Sequence, residues 1–189
     1  MNRPEYDVLD LTKKFSPILQ FFNRRNIEIN KPDFSIPMSI DESLRSSKSK
    51  SCAIKYYMPA KPAKSGEKSF LLVDSELFCY KIIYQFPCQF SETDGSLLDL
   101  MQKIIPIEFQ NCGLKVICDN YFVSMDVLLD YQKKNIALLG TVRSMRFQRF
   151  FEKPIFNSLI KIVGKKQFKR NIRAYEDSNK QIRLYFYSD

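Results

Sequence analysis

The 189 residues predict an α/β fold: a mixed sheet in which an antiparallel meander joins a parallel βαβ unit, with helices flanking the sheet. Three observations carry this. Between residues 36 and 85 the apolar residues fall in short runs rich in aromatic and β-branched side chains, broken by polar or proline-containing stretches, as strands on tight connections do. In SETDGSLLDLMQKIIP the period changes, and Leu97, Leu98, Met101, Ile104 and Ile105 line one face of a helix. LKVICD and ALLGTVR, two apolar strand-like runs, then bracket the helical SMDVLLDYQKKN; strand, helix, strand at that spacing is a parallel, right-handed unit.

Each element follows in order. EYDVLDLTKKFSPILQFF, residues 5–22, has helical apolar spacing at Val8, Leu9, Leu11, Phe15, Ile18, Leu19 and Phe22, with Pro17 a kink or break. Asn23 to Asp33 reads as a polar linker. SIPMSIDESL predicts a short strand through Met38 and Ile40 that leads into Asp41 and Glu42. RSSKSKS is a basic, serine-rich hairpin turn into a second strand, AIKYYM, whose end is punctuated by Pro59 and Pro62. KSFLLVDS and LFCYKIIYQF form an antiparallel pair across DSE. In SMDVLLDYQKKN, Ser124 is placed to cap the helix and Asp126 stands in its first turn, where a negative charge is favoured. The expected organisation is a helical lead-in over 1–35, the sheet core over 36–142 and a basic segment over 143–189.

Composition removes several functions. There is no histidine, so histidine general bases, Ser-His-Asp triads and histidine metal sites are excluded, and a metal would be held by carboxylates, which favours magnesium or manganese over zinc. Five cysteines, Cys52, Cys79, Cys88, Cys112 and Cys118, are odd in number and form no C-x-x-C pair, which reads as reduced, mostly buried thiols. No apolar run reaches the roughly 18 residues of a membrane span, and MNRPEYDVLD lacks a secretory pattern, so an intracellular chain away from membranes is expected.

The net charge of +9 is concentrated. Residues 143–173 hold 10 basic residues against Glu152, whereas residues 1–142 hold 18 against 17 acidic ones. The cations include Arg143, Arg146, Arg149, Lys165, Lys166, Lys169, Arg170 and Arg173, interleaved with Phe147, Phe150, Phe151, Phe156 and Phe168. Cations displace counterions and rings pack or stack, so the segment suits a nucleic-acid backbone; a solvated basic surface over core phenylalanines fits the composition too.

Asp41 and Asp119 each follow the last apolar residue of a strand, 78 positions apart. Carboxylates so placed collect at one sheet edge, where ligands of α/β sheets sit. On pattern alone each also fits a turn or a helix cap.

Four segments carry a resemblance: SIDESL, KYYMPAKPAKSGEKSFLLVDS, VICDNYFVSM and IALLGTVRS. Their I-D-E, Y-x-P-x-K-P-x-K-x-G-x-K, C-D-N-x-F-x-S and G-T-x-R patterns resemble, in kind, order and spacing, signature segments of piggyBac-type transposases and the domesticated proteins derived from them. The resemblance covers residues 3 to about 146 and is weak beyond; QIRLYFYS matches the strand that closes the family's basic insertion domain. It implies an RNase H-like fold that binds two divalent ions, Mg2+ or Mn2+, with the first two catalytic, metal-binding aspartates at Asp41 and Asp119. It places Lys61, Lys64 and Lys68 near a DNA backbone, and implies DNA as partner, a nuclear location and family members that act as dimers. Cut-and-paste strand cleavage and transfer is the implied chemistry. The family's third catalytic Asp, in a Gly-Gly-Val-Asp segment, has no counterpart here, nor has its cysteine-rich C-terminal domain or much of its N-terminal DNA-binding region, and RSSKSKS replaces a glycine-containing hairpin. The expectation is therefore a truncated, catalytically inactive transposase core, with a domesticated DNA-binding module or a decayed fragment as alternatives.

Overall fold

The structure, a computed structural model, describes residues 8–48, 55–59, 61–62, 64–85, 97–142, 172–176 and 183–187, with backbone alone for residues 8–14 and for the last two segments. The chain forms two compact units, residues 1–142 and 143–189.

In the first unit the elements are α1 (Val8–Ile29), β1 (Met38–Ser46), β2 (Lys55–Tyr57), β3 (Ser65–Val73), β4 (Cys79–Gln85), α2 (Leu97–Ile104), a 3-10 turn (Ile107–Phe109), β5 (Lys115–Cys118), α3 (Met125–Lys133) and β6 (Ala137–Gly140). They make one mixed sheet in the order β2-β3-β1-β5-β6, with β4 also on β3. β1, β5 and β6 are parallel, while β1, β2 and β4 each run antiparallel to β3. The parallel β5-α3-β6 unit and the antiparallel β3–β4 pair are as the sequence predicts.

β1 does not form the expected hairpin with β2. β3 stands between them, pairing with β1 from Val73 to Gly66 and with β2 from Ser65 to Glu67. The link from β1 to β2 is therefore a crossover, and the hairpin joins β2 to β3, where Met58 N–H donates to Lys64 O at 2.8 Å. The reason is steric as well as local. A Cβ on Gly66 would stand 2.0 Å from the carbonyl oxygen of Arg45, so the glycine lets β1 close against β3 at the far end of the ladder.

Alternation fixes the core. Met38 and Ile40 of β1, Phe70 and Leu72 of β3, and Val116 and Cys118 of β5 are buried on one face. Leu100, Met101 and Ile104 of α2 and Val127 and Tyr131 of α3 are buried with them. Each such side chain contributes about 1.5–3 kcal/mol on leaving water. The Tyr131 hydroxyl donates to Met101 O at 2.7 Å, which ties α3 to α2 and satisfies a phenol that burial pushes well up.

α1 continues through Pro17 without a break and takes in Asn23–Ile29, so more than half of the expected linker is helix. A tertiary contact overrides local propensity here. The Asn23 side chain accepts from Ile82 N–H at 2.9 Å and donates to Ile82 O at 3.0 Å, and Asn26 donates to Cys79 O at 2.7 Å. α1 thus satisfies the outward backbone groups of the β4 edge. Pro106 lies outside any helix; no helix among the described residues is long and apolar enough to cross a membrane.

Of the described cysteines Cys118 is buried, Cys79 half-buried and Cys112 exposed, so burial is less general than expected; all three are free thiols. Cys52 and Cys88 lie outside the described residues. In the second unit β7 (Ile172–Glu176) and β8 (Arg183–Tyr187) form an antiparallel pair. β8 is the strand expected at QIRLYFYS. β7 begins within the basic stretch.

Candidate active site

The β1–β5 ladder pairs Met38 with Val116, Ser39 with Ile117 and Ile40 with Cys118. Asp41 and Asp119 are the next residue on each strand. Neighbouring strands lie about 4.8 Å apart, so the last paired position, Ile40 with Cys118, brings the backbones of the two aspartates close together. Paired residues share a face: Met38, Ile40, Val116 and Cys118 are buried, and Asp41 and Asp119 alternate with them onto the other face, where both are exposed.

The two positions arise differently. β5 ends at Cys118, and Asp119 opens the link to α3: Asn120 N–H donates to Asp119 Oδ1 at 2.5 Å and Phe122 N–H to Asp119 O at 3.0 Å. Phe122 and Val123 then plunge into the core, and Ser124 Oγ accepts from Val127 N–H at 3.3 Å to start α3, as its sequence predicts. Asp41, by contrast, does not end a strand. β1 continues to Ser46 because β3 pairs with it through Gly66, and Asp41 marks where β1 loses β5 as a neighbour. Its Oδ1 accepts from Glu42 N–H at 2.7 Å. Asp119 is thus both a turn residue and a carboxylate at the sheet edge. Each Asp has one oxygen held by the following backbone N–H, and among the described residues the other oxygen takes no hydrogen bond. Hard oxygen pairs of this kind can hold a hard divalent cation.

Gly140, the glycine of G-T-x-R, sits directly behind this edge. It pairs with Cys118, and a Cβ there would be 2.6 Å from Cys118 O and 2.6 Å from Val123 Cγ2. Burial, with the Asp119 carboxylate behind it, pushes the Cys118 thiol up to about 12, so it is a packing group. Among the described residues no cluster of three or more cysteines, aspartates or glutamates is placed to hold a metal.

The lysines of the K-P-x-K block separate. Lys64 is exposed in the β2–β3 turn. Lys61 is partly exposed, its Nζ 3.7 Å from Glu42 Oε1. Lys68 turns inward: its side chain is 11% exposed and its Nζ is 2.8 Å from Glu42 Oε2. Three rings surround that ammonium, Phe70 at 5.1 Å, Tyr121 at 5.4 Å and Tyr56 at 5.9 Å. Sequence reasoning missed this cluster, because nothing local relates Glu42 to a lysine 26 residues later. Arg143, Arg146, Arg149, Lys165, Lys166, Lys169 and Arg170 lie outside the described residues, and Arg173 falls in β7.

A family model described as transposase IS4 matches residues 3–181. The chain belongs to this transposase family. The match extends past Arg146, where the motif resemblance fades, and so takes in most of the basic segment. No curated protein matches the chain. Among solved structures, a cryo-EM structure of a piggyBac transposase synaptic complex with hairpin DNA superposes with a TM-score of 0.66 at 17% sequence identity, over 98% of this chain and 40% of that one. The mixed sheet therefore has the RNase H-like fold of that transposase's core, and the chain spans two fifths of the length of that transposase.

Proposed function

We propose that Asp41 and Asp119 are the first two carboxylates of a divalent-metal site for cleavage and strand transfer of DNA. The carrying observation is the parallel register, which puts both on one exposed face immediately past the last paired position. The donor set fits the group: two hard carboxylates, each with an oxygen that takes no hydrogen bond among the described residues. Bound there, Mg2+ or Mn2+ would supply Lewis-acid activation of a water or 3′-hydroxyl and charge stabilisation at the departing oxygen. The chain's own part is to orient: the N–H groups of Glu42 and Asn120 aim the carboxylates, and exposed Lys64, with Lys61 beside it, offers cations to a DNA backbone.

Two carboxylates hold such ions weakly, so the 189-residue chain by itself is read as lacking strand cleavage. The test is Mn2+ titration followed by water-proton relaxation, together with incubation on transposon-end DNA. Weak Mn2+ binding that is lost in Asp41→Asn and in Asp119→Asn, without cleavage, is expected; Mn2+ affinity indifferent to both substitutions would sink the assignment. Cleavage that disappears in Asp119→Asn would keep the site and overturn inactivity.

A second reading, a domesticated DNA-binding module, rests on the charge concentrated in residues 143–173. It expects steeply salt-dependent binding to duplex DNA in EDTA, and salt-insensitive or absent binding would remove it. The resemblance to piggyBac-type transposases supports a nuclear location under either reading, and members of that family act as dimers.

A further inference from the structure

We propose that Lys68 is a positioning residue that fixes the spacing of Asp41 and Asp119, and that it does not serve as a nucleic-acid contact; this rests on the two-carboxylate reading above. Past Ile40 and Cys118 the two strands share no ladder hydrogen bonds, so the ladder alone does not hold the two aspartates in step. Lys68 spans the gap from the covered face. Its ammonium pairs at 2.8 Å with Glu42, the residue after Asp41, and lies 5.4 Å from the ring of Tyr121, two residues after Asp119. Glu42 pairs across the ladder with Phe70, so its side chain points away from Asp41's face. Phe70 stacks on Tyr121 at 6.3 Å and meets Phe122 edge-on at 5.7 Å, which closes the floor beneath both segments.

The charges favour this assignment. Lys68 and Glu42 are 11% and 14% exposed, and a nearly buried ammonium facing a carboxylate and three rings has its attraction already spent inside the protein. A phosphate would have to displace Glu42. Lys61, 3.7 Å from the other oxygen of Glu42, reinforces the carboxylate's position from the outside. The arrangement is the outer-shell support that metal-binding carboxylates commonly need, here given by one cation to two chain segments at once.

The test compares the 189-residue chain with Lys68→Met, Lys68→Arg and the double variant Glu42→Gln/Lys68→Met, which leaves no unpaired buried charge if the single variant fails to fold. Three quantities are read: amide exchange at Asn120 and Phe122 relative to Leu128 in α3, Mn2+ affinity, and the salt slope of duplex DNA binding in EDTA. In both variants that remove the ammonium, faster exchange at Asn120 and Phe122 is expected with Leu128 unchanged. Mn2+ affinity is expected to fall at least about tenfold in those variants and to recover in Lys68→Arg. The salt slope should not move, whereas loss of a phosphate contact would reduce it by about one. Unchanged exchange, unchanged Mn2+ affinity or a reduced salt slope would each overturn the proposal. Should Asp119→Asn leave Mn2+ binding intact, the carboxylate reading has failed, and exchange at Asn120 still decides whether Lys68 holds the two segments.

Discussion

Single residues set the site's geometry through contacts that leave no room for change. Gly140 has Cys118 O and Val123 Cγ2 both within 2.6 Å of where a Cβ would lie, the first backbone and the second a core side chain. Neither can retreat without moving the start of the Asp119 turn. Gly140→Ala should lower stability by about 1–3 kcal/mol, as overpacking does, and an unshifted urea midpoint would contradict the close approach. Tyr80 gives a pH-dependent counterpart. It is buried and donates to Asp74 Oδ2 at 3.1 Å, while Asn30 donates to its oxygen. Burial first, then the Asp74 bond, pushes the phenol from its ordinary 10 up to about 12. The folded chain therefore keeps a proton that the unfolded chain releases above pH 10. The stabilisation is complete below pH 10 and is lost as pH rises toward about 12. Melting temperature should drop over that window, with Tyr131 and Cys118, whose protons burial also holds, adding to the fall, so Tyr80→Phe should make the drop shallower without removing it; an equal slope in the variant would show that Tyr80 does not contribute.

Elements in this fold are specified partly by partners far along the chain, which decides what the sequence could reveal. Asn23 acts on the edge strand β4 as a neighbouring strand would, bonding both the N–H and the C=O of Ile82, 59 residues away. Asn23→Ala leaves both groups without that partner. It should cost roughly 1–3 kcal/mol and speed exchange at the Ile82 amide, measured by urea denaturation and hydrogen exchange; unchanged protection there would mean the edge is satisfied otherwise. The same contact explains why residues 23–29 read as linker: asparagine is a weak helix former, and the bond that holds it in a helix is non-local. β3 and β4, β5, α3 and β6 were legible because apolar run, turn residues and the Ser124 cap are all local signals. Asp119 was legible for that reason. Asp41 was legible as a position but not as mid-strand, since β1 persists through the polar ESLRS only by its ladder to β3. The Glu42–Lys68 pair was illegible, because an inward-facing lysine at residue 68 depends on the pairing of Leu44 with Lys68 and of Glu42 with Phe70.

At the scale of the whole molecule, the concentrated charge and the proposed carboxylate site belong to different units of the chain, and that division is itself testable. Residues 1–142, which carry Asp41 and Asp119, have nearly balanced charge, while residues 143–173 hold 10 cations against one anion. If the second unit supplies the affinity for DNA, cations there release counterions from the phosphates they meet, and the observed binding constant falls with salt in proportion to their number. With six phosphates engaged, affinity should fall about a thousandfold between 50 and 200 mM salt. Asp41→Asn and Asp119→Asn should leave that slope in EDTA unchanged, since neither adds a cation to the basic segment. Charge-removing substitution of Lys165, Lys166, Lys169 and Arg170 together should lower the slope by up to about four, at roughly 0.9 for each phosphate lost. The measurement is a fluorescence-anisotropy titration of duplex DNA at several salt concentrations. A slope untouched by the fourfold substitution would move the DNA contact onto the sheet unit, to Lys61 and Lys64 in the β2–β3 turn, where the basic charge is sparse and the binding correspondingly weak.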